Sequence, residues 1–169
     1  MNCCLFNVKD VLTGGFEMGN LWYNEPKTLE VAFDVIGDIV LSAASQQYGG
    51  FTVPSVDLLL EPFAEKSYEK YYRRYIDMGL TARIADREAM KDIQKDFDQG
   101  FQGWEYKFNT VASSRGDYPF ITMTFGTGTG KFAKIASITM LNVRRKGQGK
   151  KNCKKPVLFP KLVFLYDEN

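Results

Sequence analysis

No histidine occurs among the 169 residues of this chain. That absence removes the commonest general base and metal ligand. It excludes Ser-His-Asp hydrolysis, Cys-His proteolysis and most zinc chemistry. Cysteine is scarce as well. Cys3, Cys4 and Cys153 are an odd set, and the neighbours Cys3 and Cys4 cannot easily bridge each other, so no disulfide framework follows. Such usage fits a reducing, cytoplasmic setting. Long apolar runs are missing: "IGDIVLSAA" is the nearest, Asp38 interrupts it, and it falls short of the roughly 18 residues of a membrane span. Met1 is followed almost at once by Cys3 and Cys4, which leaves no room for a signal peptide. Charge of one sign is not in excess either. With 22 Lys+Arg against 20 Asp+Glu the net charge is +2, too near neutral to argue for a nucleic-acid partner. Any enzyme chemistry must therefore rest on thiols, carboxylates, a cofactor or a radical.

What remains is the composition of an ordinary globular chain, 44% hydrophobic and 25% charged. Its length suits one domain with a sizeable core. "CCLFNV" (Cys3–Val8) reads as a buried strand and "LTGGF" as a turn. A helix is expected from Asn24 as cap, with Glu25 and Pro26 in its first turn and Leu29, Ala32, Phe33, Ile36, Ile39, Val40 and Ala43 at helical spacing. Gly49 and Gly50 end it. A second helix opens near Ser55, with Pro62 marking a break or first turn. A third runs from Thr81 to about Ala112 with Phe97, Phe101, Trp104, Phe108 and Val111 on one face. Tyr118–Phe125 is a strand, "GKFAKIASITMLNVRRKG" returns to helical spacing, and "PVLFPKLVFLYD" is a final strand. Strands separated by helices predict parallel pairing. The strands read as apolar on both faces, as in sheets covered by helices. Three strands with open edges make a poor stopping point for a domain, so the predicted unit is part of a larger sheet.

Few segments carry chemistry. "TFGTGTGKF" looks like a phosphate loop, yet Gly126 and Gly130 are separated by three residues instead of four, and Phe132 stands where a P-loop needs Ser or Thr. The simpler reading is a strand-to-helix turn; free N–H groups at such a turn would suit a phosphate. "SSRGDYPF" reads as a turn before a strand, with Arg115 able to meet phosphate as a planar fork. Arg144–Lys155 holds seven Lys/Arg in twelve, either a solvated loop or an attractor of a polyanion such as a nucleoside triphosphate. No basic stripe for duplex nucleic acid accompanies it. Tyr68, Tyr71, Tyr72 and Tyr75 read as a core stripe beside a charged face. Cys3 and Cys4, adjacent on a strand, point to opposite faces.

Taken in order, "NCCLFNV…GFEMGN…EPKT", "SQQYGGFTVP", "PFITMTFGTGTG" and "RRKGQGKKNCKKPVLFPKLVF" resemble the anaerobic (class III) ribonucleoside-triphosphate reductases, which are glycyl-radical enzymes. The resemblance covers nearly the whole chain. It implies an α/β fold: residues 1–169 as a single partial domain, the amino-terminal portion of a ten-stranded α/β barrel of parallel strands with covering helices. The implied chemistry is conversion of ribonucleoside triphosphates to deoxyribonucleotides by thiyl and glycyl radicals, with formate or a thiol as reductant. It places a catalytic cysteine on the first strand at Cys3, with Cys4 as the register alternative. It makes Ser113, Ser114, Gly126, Thr127 and Gly128 candidates for substrate phosphates, and Glu25, Lys27 and Lys70 for an ATP or deoxynucleotide effector. The glycyl radical, the central-loop cysteine and a zinc site are expected outside this chain, which holds no metal ligands. Expected partners are the remainder of the reductase, a second copy in a homodimer and a radical-generating activase, with neither nucleic acid nor membrane. On this reading the isolated chain is inactive. The alternatives are a non-catalytic effector-binding module and a glycyl-radical relative acting on another substrate; the basic segment favours a triphosphate.

Overall fold

A computed structural model describes residues 3–112 and 116–166. The elements are β1 (Cys4–Leu5), α1 (Val8–Leu12), β2 (Phe16–Met18), β3 (Leu21–Tyr23), α2 (Leu29–Ala44), β4 (Phe51–Val53), α3 (Val56–Asp77), α4 (Ala82–Thr110), β5 (Ile121–Phe125), α5 (Lys131–Lys146), β6 (Gln148–Lys150), β7 (Cys153–Lys155) and β8 (Lys161–Phe164). β1, β4, β5 and β8 form one sheet in that spatial order, and every pairing in it is parallel. β2–β3 and β6–β7 are separate antiparallel hairpins. The sheet thus has a fourth strand that the sequence reading passed over, the three residues Phe51–Val53.

The helices cover one face of the sheet. Phe51, Val53, Ile121, Met123 and Phe125 are buried among helix side chains. Thr52, Thr122 and Thr124 point the other way and stay half-buried, while Leu5, Lys161 and Val163 are exposed. Strand side chains alternate between faces, and β5 alternates apolar with threonine. The expectation of strands apolar on both faces is corrected accordingly.

α4 shows why the helical layer forms. Phe97, Phe101, Trp104 and Phe108 recur at spacings of three and four and are all buried. Phe33 of α2 meets three of them, its ring centroid 5.0 Å from Phe101 and 4.6 Å from Trp104. The Trp104 indole N–H donates to the Phe33 carbonyl at 2.8 Å. Gly100 makes the crossing possible, because a Cβ there would fall on the Phe33 ring.

One helix start and the course of a second helix differ from expectation. α2 begins at Leu29, not near Asn24. The Thr28 hydroxyl accepts the Val31 N–H, and the buried Ser67 hydroxyl of α3 accepts the Leu29 N–H at 2.7 Å. Those two acceptors satisfy the orphan donors of the first turn, so Glu25, Pro26 and Lys27 form a lead-in segment. α3 runs straight through Pro62. Proline lacks the N–H that would bond one turn back, but burial of Leu59, Leu60, Phe63 and Ala64 around it carries the helix across. Ser55 stands at the start of α3 with φ 47° and makes no side-chain cap bond.

The basic segment is no loop. It comprises the end of α5 and the β6–β7 hairpin. Arg144 donates to the buried Glu105 carboxylate at 2.7 Å and to the Pro160 carbonyl at 2.7 Å, and Gln148 donates to Glu105 at 2.6 Å. Lys146 pairs with Asp98 at 3.4 Å. Beside this cluster the Asn109 side chain accepts the Leu158 and Phe159 N–H groups and donates to the Phe159 carbonyl at 2.6 Å.

Candidate functional site

In an open parallel sheet, ligands gather outside the carboxyl ends of the strands. Here that edge is formed by the segments after β4 and β5, and the glycine-rich turn Gly126–Gly130 lies on it. Two of its N–H groups are engaged. Asp57, in the first turn of α3 and fully buried, accepts the Gly126 and Gly128 N–H groups on Oδ2, each at 3.0 Å. The Ser137 hydroxyl approaches the same oxygen at 3.5 Å. One helical turn on, Glu61 accepts the Ala133 N–H of α5 at 3.3 Å. Carboxylates of α3 thus occupy the positions that a phosphate would take at this turn. The Asp57 Oδ1 is buried with no hydrogen-bond partner. A Cβ on Gly128 would come within 2.9 Å of Asp57 Oδ2, and Gly126 has φ +114°, so both positions favour glycine. The turn faces solvent through Thr127 and Thr129. Sequence reading missed Asp57 and Glu61, because nothing local connects an acid at the start of α3 with a turn 69 residues later.

The thiols divide as their adjacency requires. Cys4 is half-buried and packs against the core with Phe6, whereas Cys3 is exposed. By strand alternation Cys3 lies on the side of Leu5, which is the face without helices. Along that face, register aligns Leu5, Thr52, Thr122 and Lys161 in one row across the four strands. Cys153 is exposed on the β6–β7 hairpin, away from this row.

The expected effector residues sit where the lead-in to α2 crosses α3. Lys66 donates to Glu25 at 3.0 Å, and this bond with its charge attraction holds the Glu25 carboxyl below the usual carboxylate range. Lys70 lies one turn further on, in an open groove of about 600 Å³ that it shares with Lys66, Glu69, Arg73, Arg74 and Asp77. Lys27 is exposed in the lead-in. Three of the four tyrosines of α3 are more than a core stripe; Tyr68, Tyr71 and Tyr75 donate to acids of α4. Tyr68 bonds Asp86 at 2.5 Å, Tyr71 bonds Asp96 at 2.7 Å and Tyr75 bonds Asp92 at 2.8 Å. Burial, reinforced by Asp86, pushes the Tyr68 hydroxyl up to about 12. Burial likewise raises Tyr71 and, despite the Tyr71 bond, the Asp96 carboxyl.

Ser113, Ser114 and Arg115 lie outside the described residues. No helix among the described residues is long and apolar enough to cross a membrane.

The sequence model of the family described as anaerobic ribonucleoside-triphosphate reductase matches residues 1–169. The reductase of that name from Enterobacteria phage T4 is 38% identical over 167 residues, covering 99% of this chain and 27% of the relative. Those of Salmonella typhimurium and Escherichia coli are 38% and 36% identical, each over 96% of this chain and 22% of the relative. The chain therefore spans about a quarter of the length of the curated relatives it matches. Among solved structures, the anaerobic ribonucleotide reductase of Thermotoga maritima in complex with dATP and CTP superposes with a TM-score of 0.53 at 14% identity, over 83% of this chain and 23% of that one. The same protein with citrate in its active site gives the same score. At that identity the likeness speaks to the fold alone.

Proposed function

The chain belongs to the anaerobic ribonucleoside-triphosphate reductase family, and from that premise we propose that it supplies the first part of the catalytic barrel of such an enzyme. Further polypeptide completes the barrel by pairing with the open edges at β1 and β8 and enclosing the face without helices. The full ten-stranded closure is part of this proposal. A half-polar face of threonines beside a free thiol suits the lining of an enclosed reaction chamber better than it suits a packed core or a solvent surface.

Within that chamber Cys3 is the reacting group of this chain. Its S–H bond breaks and a C–H bond forms as it gives a hydrogen atom to a substrate radical; the formate or thiol reductant restores it. The radical itself is generated by glycyl-radical chemistry carried outside this chain. No proton need be taken by a base, which suits a chain without histidine. Cys4 packs into the core instead and serves structure. For the triphosphate, the turn offers Thr127, since the N–H groups of Gly126 and Gly128 are engaged by Asp57; Ser113 and Ser114 are the other phosphate candidates. The observation that carries the assignment of Cys3 is its side of the sheet.

The test uses the chain assembled under anaerobic conditions with the remaining portion of the reductase supplied in trans. Cys3→Ala should abolish conversion of a ribonucleoside triphosphate while leaving effector binding intact, and Cys4→Ala should keep turnover. Retained turnover in the Cys3 variant would move the role elsewhere.

The groove at Lys66 and Lys70 favours a second reading, binding of a deoxynucleotide effector by Glu25, Lys27 and Lys70. Titration of the folded chain with dATP and dTTP tests it directly, and absence of binding at millimolar nucleotide would remove it.

A further inference from the structure

Seven Lys/Arg lie between Arg144 and Lys155, and internal ion pairs account for two of them. Arg144 is bound to Glu105 and Lys146 to Asp98. Arg145, Lys150, Lys151, Lys154 and Lys155 are exposed, and none joins an ion pair among the described residues. Four of these five lie on the β6–β7 hairpin or its turn, a stretch without any acid from Gly147 to Pro156. The hairpin holds them close. Register sets Lys150 opposite Cys153 and Gln148 opposite Lys155, so Lys150 and Lys155 are diagonal neighbours on one face, with Lys154 on the other. Gly147 (φ +65°) and Gly149 (φ +132°) permit this approach, because a Cβ on either would come within 2.7 Å and 2.8 Å of the Lys155 and Cys153 carbonyl oxygens. The base is fixed to α4 by Gln148, which donates to Glu105 and accepts from Gln102. Like charges gathered this way repel one another, and a polyanion on the outer side relieves that repulsion.

We infer that the β6–β7 hairpin is a docking surface for an acidic segment of a separate partner protein. Charge complementarity selects the acidic partner. Two observations favour a protein over nucleic acid. No aromatic side chain lies between Arg144 and Pro156 on which a base could stack. Beside the hairpin α4 presents Asp98, Gln102 and Tyr106, so a duplex continuing past the ribbon meets no second row of bases there. The hairpin is fastened to the helical layer. The choice of a separate protein rests on the reading that the remaining reductase joins the sheet edges and the helix-free face instead.

Fluorescence anisotropy tests the surface, with a labelled glutamate decapeptide, a single-stranded oligonucleotide and a duplex each titrated with the full chain at low salt. Saturable binding of the decapeptide is expected, weakening as salt rises. Lys150→Glu combined with Lys154→Glu should weaken it about tenfold or more, as attractions between exposed charges become repulsions. Lys134→Glu, an exposed position on α5, should leave it unchanged. Thermal unfolding of both variants checks that the fold is kept. Binding that never saturates, that survives the double reversal, or that is tighter for either oligonucleotide would overturn the assignment. The chain assembled with the remaining portion of the reductase should bind the decapeptide equally well; loss of binding there would show that the reductase itself covers the hairpin and would overturn the separate partner. None of these readouts depends on turnover, so their failure leaves the Cys3→Ala test of the reductase reading standing.

Discussion

Asp57 is the perturbation with the clearest expected size. Replacing it with alanine removes the acceptor for two N–H groups, each at 3.0 Å, in a fully buried place. A hydrogen bond to a charged group is worth about 1.5–3 kcal/mol net, so the pair accounts for about 3–6 kcal/mol. Part of that returns, because the variant no longer buries the unpartnered Oδ1, a relief of about 1–3 kcal/mol. Asp57→Ala should therefore destabilise the chain by about 2–4 kcal/mol, and Asp57→Asn, which keeps a neutral acceptor, by roughly half as much. With a urea dependence of about 2 kcal/mol per molar, the alanine variant should unfold about 1–2 M earlier. Equilibrium urea unfolding followed by tryptophan fluorescence measures this. The variant also frees the turn, so inorganic phosphate should stabilise Asp57→Ala more than the parent chain. An alanine variant within about 0.5 kcal/mol of the parent would refute the view that this carboxylate shapes the turn.

Two further predictions concern α3 and α4. The Tyr68 hydroxyl is raised from 10.0 to about 12 on folding, so its contribution is complete below pH 10 and is lost as pH rises through 12. Urea midpoints taken between pH 9 and pH 12 should fall less steeply in Tyr68→Phe than in the parent; equal slopes would exclude the effect. In α4, Gly100→Ala drives a methyl into the Phe33 ring and should cost about 1–3 kcal/mol. Gly103→Ala, which meets only open space three residues later, should instead stabilise by about 0.5–1 kcal/mol, and thermal unfolding of the two variants checks the contrast.

The sequence was legible where one periodicity dominated. The aromatics of α4 sit in a long enough run for the pattern to speak, Tyr118–Phe125 read as a strand though its alternation of apolar residues with threonine was passed over, and parallel pairing followed from the helices between strands. β4 was hidden because three residues, Phe51–Val53, lie between two glycines and a proline that read as loop. The hairpin β2–β3 carried its own signal in Gly19-Asn20, a two-residue turn between short strands, and reading "LTGGF" as a simple bend passed over it. Asn24 read as the cap of α2, whereas its true start depended on Thr28 and on Ser67, 38 residues away from Leu29. The site was legible only in part for the same reason. Adjacency alone puts Cys3 and Cys4 on opposite faces, but which face lacks helices, and which acid fills the glycine turn, are decided by tertiary contacts that no local window contains.

The hold of Asn109 on Leu158 and Phe159 has a consequence for β8. An edge strand with one free side is prone to slide along its neighbour, and a shift by one residue would exchange Lys161 and Val163 with Leu162 and Phe164 between the two faces. The end of α4 grips the chain before β8 begins, so the strand enters the sheet in a fixed phase. Any strand added beyond it then inherits a frame dictated by a helix laid down some 50 residues earlier.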